Sequence, residues 1–151
     1  MPTSRCIRAA APADLAEIVA LIGELADFEH LADEVGLQPE DLARHLFGPE
    51  PTARVLIAET DHGEVAGFAL WYWTFSSFLG RRGIWLEDLF VRPAHRGHGH
   101  GRALLDRLRT LTDGRVEWAV LDWNRPAIEL YRSLGAEPVT GWTRYRWSVD
   151  P

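Results

Sequence analysis

The chain has 151 residues, a length that predicts one domain over residues 1–151 with one sizeable hydrophobic core. Its 22 acidic and 16 basic residues give a net charge of −6, which argues against a nucleic-acid-binding protein because such proteins normally carry a basic face. The single cysteine, Cys6, excludes an intrachain disulfide and a cysteine-based zinc site, and we expect it to be buried in the first strand.

The first half of the chain predicts one strand, two helices and then three strands. Residues 10–30 are the clearest helix, since Pro12 stands near the start and apolar residues recur at helical spacing. A turn at residues 61–64 joins two strands as a hairpin. The predicted elements of this half are a strand at 5–10, helices at 10–30 and 38–48, and strands at 53–60, 65–76 and 83–93.

The second half alternates helices and strands. It predicts a helix at 101–112, a strand at 115–123, a helix at 125–135 and an alternating last strand at 140–149. Helical crossovers imply parallel pairing in this half, whereas the hairpins imply antiparallel pairing in the first half. The sequence therefore predicts an α/β (α+β) fold with a mixed sheet and the order β-α-α-β-β-β-α-β-α-β.

A glycine-rich loop, "HRGHGHG" at residues 95–101, lies between a predicted strand and the helix that follows it. The first N–H groups of a helix and a backbone free of side chains form a good site for a pyrophosphate, to which Arg96 can add a guanidinium. The chain has no lysine, which excludes a P-loop, and the G-x-G-x-G spacing differs from a dinucleotide-binding fingerprint. A metal site built from His95, His98 and His100 is the alternative, but neither a cysteine nor a carboxylate stands nearby to complete it.

The spacing R-x-x-G-x-G, formed by Arg96, Gly99 and Gly101, resembles the acyl-CoA loop of the GNAT superfamily of N-acetyltransferases. Within that superfamily the chain most resembles the spermidine/spermine (diamine) and thialysine N-acetyltransferases. Four blocks carry the resemblance, namely residues 7–30, 86–101, 119–136 and 141–147. The resemblance implies the GNAT fold, acetyl-CoA as the acetyl donor, and a homodimer in which the C-terminal strand is often exchanged.

The resemblance also implies which residues bind acetyl-CoA. The backbone of one strand would pair with the pantetheine arm, the glycine-rich loop would hold the pyrophosphate, and Asn124 would hydrogen-bond the pantetheine. Asn124 has an alternative role as the N-cap of the helix that begins near Pro126. The cofactor-binding residues are predicted to be Leu89, Phe90, Val91, Arg96, Gly97, His98, Gly99, His100, Gly101, Arg102, Asn124 and Tyr131.

Acetyl transfer to an amine needs a base, because an ammonium group has no lone pair with which to attack. Glu87 is the candidate base, and Tyr131 is the candidate acid that protonates the departing thiolate. Backbone N–H groups near Leu89 or Phe90 would stabilise the oxyanion. Glu87 has an alternative as a solvated carboxylate, because it and Asp88 should face opposite sides of a regular strand, and Tyr131 has an alternative as a core residue.

The candidate acceptor site departs from that of the polyamine enzymes. Ser76 and Thr140 stand where those enzymes carry acids, and Phe78 stands where they carry tryptophan. These differences weaken attraction for a long polycation, so we expect a smaller, lysine-like amine whose carboxylate meets an arginine. The candidate substrate-binding residues are Phe28, Glu29, Ser76, Phe78, Glu87, Asp88 and Trp142.

Two other functions remain open at this point. One is a non-catalytic acyl-CoA-binding sensor, and the other is an enzyme that acetylates an amine of a protein. The sequence shows neither a signal peptide nor an apolar run that would span a membrane, so we expect a cytoplasmic protein. We expect a small-molecule amine and acetyl-CoA as binding partners. We expect the protein to bind neither nucleic acid, nor a membrane, nor a metal ion.

Overall fold

The structure is a computed structural model in which residues 6–149 are described. The chain divides into two compact units, one that ends at Ala119 and one that begins at Val120. Short 3₁₀ turns lie at Pro12–Asp14, Ala32–Glu34 and Pro93–His95. In chain order the main elements are β1 (Cys6–Ala9), α1 (Leu15–Phe28), α2 (Pro39–Phe47), β2 (Arg54–Glu59), β3 (Val65–Ser76), β4 (Arg81–Val91), α3 (His100–Thr110), β5 (Val116–Trp118) and α4 (Arg125–Ser133).

The five strands form one mixed sheet in the order β1-β2-β3-β4-β5. Strands β1 to β4 pair antiparallel, and β5 pairs parallel to β4 after the α3 crossover, which confirms the predicted mixed sheet. The hairpin between β2 and β3 closes through Gly63, whose φ of 78° lies in the left-handed region that glycine adopts without strain. The antiparallel β3–β4 ladder, which runs from Gly67 to Ser76, is the longest in the sheet.

The main hydrophobic cluster lies where α1 and α2 pack on the sheet. Apolar residues at helical spacing on α1 meet alternate residues of β2, β3 and β4, as an amphipathic helix on a half-buried sheet requires. Helix α3 also contacts β2, β3 and β4, and its Leu104 and Leu108 are fully buried. The cluster contains Ile18, Leu21, Leu25, Leu42, Leu46, Val55, Ile57, Phe68, Leu70 and Phe90.

Arg92, the first residue after β4, ties the end of this strand to α1. Its guanidinium bonds the carboxylates of Glu17 and Glu24, the latter at 3.0 Å, and also donates to the carbonyl of Val65 at 3.2 Å. Three partners fix the direction in which the chain leaves β4, because charge-assisted bonds of a guanidinium are directional. The glycine-rich loop therefore starts from a fixed point.

The predicted last strand at residues 140–149 is absent, because this segment has neither helix nor strand. Its side chains Tyr145, Trp147 and Val149 are at least 90% exposed. Alternation alone does not make a strand, since an extended segment needs a hydrogen-bonded neighbour, and no pairing to this segment occurs among the five described strands. The order of elements otherwise follows the prediction.

Two smaller predictions also differ from the structure. Cys6 is exposed rather than buried, because β1 is an edge strand and Cys6 is its first residue. Strand β5 covers only three residues of the predicted 115–123, since only three residues of β4 pair with it. No helix within residues 6–149 is long and apolar enough to span a bilayer.

Candidate active site

A β-bulge in β4 shapes the candidate site. Leu70 of β3 pairs with Asp88, but the next residue, Trp71, pairs with Leu86, so Glu87 is an extra residue in the ladder. Such an insertion interrupts the alternation of side chains along a strand. The expectation that Glu87 and Asp88 face opposite sides is therefore wrong, because the bulge lets two consecutive carboxylates share one face.

Three carboxylates meet at this bulge, and we call Glu29, Glu87 and Asp88 the acidic cluster. Burial, with the negative charges of Glu87 and Glu29 beside it, raises the pKa of Asp88 from its ordinary 3.8 to about 7. Burial also raises the pKa of Glu29, which caps the C-terminus of α1. Such a cluster is poised to attract a cation, since a positive group relieves the repulsion among the three carboxylates.

The Glu87 carboxylate is held by two aromatic donors. The indole Nε1 of Trp85 donates to Glu87 Oε2 at 2.9 Å, and the Tyr72 hydroxyl approaches the same oxygen at 3.5 Å, which is long for a hydrogen bond. Sequence reasoning missed both residues. The signal was present, because Trp85 lies two residues before Glu87 on one strand, where side chains share a face.

The glycine-rich loop has the form that an anion needs. Gly97 and Gly99 have φ values of 79° and 82°, and no atom lies within 4 Å of the place where a Cβ of Gly97 would stand. Helix α3 begins at His100, so its first backbone N–H groups follow the loop directly. This open, side-chain-free surface at a helix N-terminus fits the pyrophosphate of a CoA thioester.

The side chains of this loop point to partners within the first unit. Arg96 donates to the carbonyl of Val91 at 2.8 Å, and its guanidinium lies 4.9 Å from the ring centre of Phe28 and 5.4 Å from that of Phe90. Its guanidinium thus stacks on an aromatic pair instead of lying free in the loop. His98 bonds a backbone carbonyl at 3.2 Å.

His100 is buried at the start of α3, beside His98 at 6.5 Å between ring centres. Gly101 and Arg102 lie in the first turn of the same helix, and the Arg102 side chain is exposed toward Asp106, 3.9 Å away. Within residues 6–149 no group of three or more histidine, cysteine, aspartate or glutamate side chains is arranged to hold a metal ion.

Strand β4 also carries the three residues whose backbone the resemblance assigns to the pantetheine arm. Leu89 and Val91 are half-buried, and Phe90 is buried in the main hydrophobic cluster. At the far end of β3, the Ser76 hydroxyl accepts a hydrogen bond from Leu79 N at 3.2 Å. Phe78, in the same turn, is 98% exposed.

The second unit holds Asn124, Tyr131 and Trp142. Asn124 caps α4, since its Oδ1 accepts a hydrogen bond from Ala127 N at 3.4 Å. The cap occupies the side-chain oxygen and leaves the amide NH₂ as the group that a ligand would meet. Tyr131 is half-buried on α4, and Trp142 is 83% exposed in the segment without regular structure.

Comparison with known proteins identifies the family. The sequence model described as "Acetyltransferase (GNAT) family" matches residues 20–136. The chain is 38% identical to "Thialysine N-epsilon-acetyltransferase" of Bos taurus, over 95% of this chain and 92% of that protein. It is 35% identical to "Spermidine/spermine N(1)-acetyltransferase-like protein 1" of Homo sapiens, over 95% of this chain and 22% of that protein.

A solved structure agrees with these matches. The integron cassette protein VCH_CASS6 of V. cholerae superposes with a TM-score of 0.79 at 26% identity, covering 97% of this chain and 94% of the other. The predicted family and fold are thus confirmed, both by sequence along nearly the whole chain and by architecture. The chain belongs to the GNAT acetyltransferase family and is an N-acetyltransferase.

Proposed function

We propose that this enzyme moves the acetyl group of acetyl-CoA directly to the primary amine of a small molecule, with a lysine analogue favoured over a polyamine. The observation that carries the proposal is the acidic cluster at the β4 bulge, which offers three carboxylates to an ammonium group. The whole chain, residues 1–151, would act as one catalytic domain in the cytoplasm, without a metal.

Acetyl-CoA supplies the activated acetyl group as a thioester, in keeping with the family. The backbone of residues 97–102 would hold the pyrophosphate, and the open space at Gly97 supports this assignment, whereas the guanidinium of Arg96 is stacked on Phe28 and Phe90. The backbone of residues 89–91 would pair with the pantetheine arm. Asn124 would donate its amide NH₂ to the same arm while its oxygen caps α4.

The acidic cluster would bind the acceptor as an ammonium and make it nucleophilic. Glu87 would remove the proton, directly or through a water, so that the nitrogen lone pair can attack the acetyl carbon. Backbone N–H groups near Leu89 and Phe90 would stabilise the negative charge that develops on the acetyl oxygen. Tyr131 would return a proton to the sulfur, so the acetyl group would pass without a covalent enzyme intermediate.

The acceptor class follows from what this chain keeps and what it has lost. Glu29 and Asp88 remain beside Glu87, whereas Ser76 and Phe78 at the end of β3 supply no further negative charge. A compact acidic cluster suits one ammonium group better than a long polycation. The relative named for thialysine is also matched over 92% of its length at 38% identity, which supports a lysine-like acceptor.

Phe28 would form an apolar wall of the proposed acceptor site, and the resemblance assigns Trp142 to acceptor binding as well. Phe28 directly precedes Glu29 in the chain and packs on Phe90, with 6.2 Å between ring centres. The acidic cluster therefore has an aromatic neighbour. The alkyl stem of a lysine-like amine would lie against such a surface.

We also propose a homodimer in which the segment at residues 140–149 pairs with the partner. This segment exposes Tyr145, Trp147 and Val149 at every second position, which is the pattern of a strand with one apolar face. Monomeric proteins rarely leave so many large apolar side chains in water. Strand exchange would cover them.

The proposed function is tested by thiol release from acetyl-CoA with a panel of thialysine, lysine, ornithine, putrescine and spermidine. We expect the lysine-like acceptors to have the highest kcat/KM, and Glu87→Gln and Tyr131→Phe to lose most of it. Faster turnover of spermidine would contradict the acceptor class. Silence on the whole panel, with acetyl-CoA still bound in calorimetry, would contradict small-amine acetylation and favour either an acyl-CoA sensor or a protein acceptor.

A further inference from the structure

Glu87 is an exposed glutamate, a residue type that ordinarily samples several rotamers. Here Trp85 and Tyr72 both direct a donor at its Oε2, at 2.9 and 3.5 Å. We propose that Trp85, supported by Tyr72, is a positioning residue that fixes the Glu87 carboxylate for removal of the acceptor's proton. The inference rests on the proposed function, because it gives these side chains a role in amine acetylation.

The two donors stand on rigid elements. Tyr72 and Trp85 are paired directly across the β3–β4 ladder, and Trp85 precedes Glu87 by two residues on β4. The ladder continues on both sides of the pair, so neither donor depends on a loop for its place. A catalytic group held by side chains of regular strands keeps its geometry better than one held by loops.

The chemistry of the donors fits a base. An indole N–H donates and cannot accept, so Trp85 stabilises the charge on Glu87 and cannot compete with it for the substrate's proton. Both donors use Oε2, and no other hydrogen bond reaches this carboxylate from the described residues up to Ala119. Oε1 is therefore the oxygen that accepts the proton of the ammonium group, because the hydrogen bond from Trp85 occupies Oε2.

The neighbouring charges make such donors necessary. Glu87 and Glu29 both lie close enough to Asp88 to raise its pKa, and the like charge of Asp88 pushes the exposed Glu87 side chain away from the cluster. Hydrogen bonds to a charged carboxylate are stronger than neutral ones and offset this repulsion. Without them the repulsion from Asp88 would turn the Glu87 carboxylate toward solvent, away from the proposed position of the ammonium group.

A packing role is the competing explanation, since Trp85 is a large, half-buried side chain beside Tyr72. The two roles differ in one respect. A packing defect lowers activity whatever stands at position 87, whereas a positioning defect acts only through the Glu87 carboxylate. A double-mutant cycle separates them, because it measures whether two substitutions are independent.

The test measures kcat and KM of the best amine for the wild type, Trp85→Phe, Glu87→Gln and the double variant. We expect Trp85→Phe to lower kcat/KM about 10-fold, mainly through kcat, and to cost nothing further in the Glu87→Gln background. Trp73→Phe is the matched control. It also removes an indole, from a residue that packs on Trp71 at 4.9 Å and under Arg82 at 3.9 Å. Any change in kcat/KM that it causes should be the same in the wild-type and Glu87→Gln backgrounds.

An equal loss in both backgrounds, or no loss from Trp85→Phe, would overturn the inference while leaving the proposed function intact. Absence of turnover by the wild type with every amine would overturn the proposed function and the inference with it. If Trp85→Phe does not fold, Tyr72→Phe takes its place in the cycle. It removes one oxygen atom, and its longer contact predicts a loss of about 3-fold that also vanishes in the Glu87→Gln background.

A spectroscopic readout makes the hydrogen bond itself visible. Amide and indole N–H correlation spectra of the folded chain contain one indole signal for each tryptophan, and Trp85→Phe identifies the signal of Trp85. We expect Glu87→Gln to move that signal more than any other indole signal. An unmoved Trp85 signal would show that the bond does not form in solution and would overturn the inference.

Discussion

Strand β4 and the segment at residues 140–149 are both rich in aromatic and β-branched side chains, yet only β4 is a strand. Strand β4 has hydrogen-bonded neighbours on both sides, β3 and β5, whereas the described segment has none. The difference teaches that residue composition gives a segment a preference for extended structure and that a partner decides whether this preference is realised. Strand β4 can even carry an extra residue, because its neighbours hold the ladder on either side of the bulge.

The sharpest way to test the β4 side of this comparison is Glu87→Gln. The variant keeps the shape of the side chain and removes the proposed base, so kcat/KM should fall about 100- to 1,000-fold. Steady-state kinetics with the best amine would measure this, together with circular dichroism to show that the fold is intact. Glu50→Gln, which neutralises an exposed glutamate outside the sheet, should leave the kinetics unchanged. Full activity of Glu87→Gln would remove Glu87 from the mechanism.

Asp88 tests the same bulge through stability. Its folded carboxyl has a pKa of about 7 against an ordinary 3.8, so its favourable contribution is complete below about pH 4 and is lost as the pH rises through about 7. Asp88→Asn stays neutral, and it should therefore be more stable than the wild type at pH 8 by something on the order of 2 to 4 kcal/mol. Near pH 4 the two chains should be about equal.

Urea unfolding of both chains at these two pH values would measure the difference in the free energy of unfolding. Asp61→Asn, in the exposed turn between β2 and β3, is the matched control and should show no such pH dependence. A wild type that is as stable as Asp88→Asn at pH 8 would mean that neither burial nor the neighbouring carboxylates raise the pKa of Asp88 in solution.

The other side of the comparison is tested by Trp147→Ser. If the segment at residues 140–149 finds its strand partner in a second copy, loss of this fully exposed indole should raise the dimer dissociation constant about 10- to 100-fold. Light scattering over a dilution series would measure it. Ser148→Ala changes the next residue, on the opposite face of an extended segment, and should have little effect. A wild type that is monomeric at every concentration would contradict strand exchange.

Asn124 gives the smallest expected effect and separates two roles in the second unit. Asn124→Ala should destabilise the chain by about 1 kcal/mol, because the cap of α4 is lost. Asn124→Asp keeps a capping oxygen and removes the amide donor, so it should retain stability while binding acetyl-CoA more weakly. Thermal unfolding and calorimetry would measure the two quantities. Equal acetyl-CoA affinity in Asn124→Asp and the wild type would leave Asn124 as a cap alone.

Much of the fold could be predicted because its signals are local. Glycine marks the start of α3, proline and glycine mark the two ends of α4, and the turn at Gly63 needs a left-handed residue that glycine supplies. The glycine-rich loop was identified for the same reason, since its function depends on backbone geometry and not on distant side chains. Each of these features depends on only a few consecutive residues.

The features that escaped prediction depend on residues far apart in the sequence. Neither glycine nor proline marks the bulge at Glu87, which arises from how β4 aligns with β3. The Tyr72 contact also requires that alignment, because fifteen residues separate the two side chains. Likewise the exposure of Trp147 follows from the absence of a neighbouring strand, which no pattern inside the segment reveals.

The bulge at Glu87 has a consequence for how such an enzyme can change its acceptor. On a regular strand, two residues that face one pocket are separated by a third that faces the other side. A change of the pocket then requires mutations at every second codon, with the codon between them left unchanged. Here adjacent codons, those of Glu87 and Asp88, specify the same wall, while Leu86 and Phe90 on either side remain in the core. If the acidic cluster binds the acceptor as proposed, a short run of mutations at one place in the gene would change its charge and the choice of acceptor without disturbing the packing that keeps the protein folded.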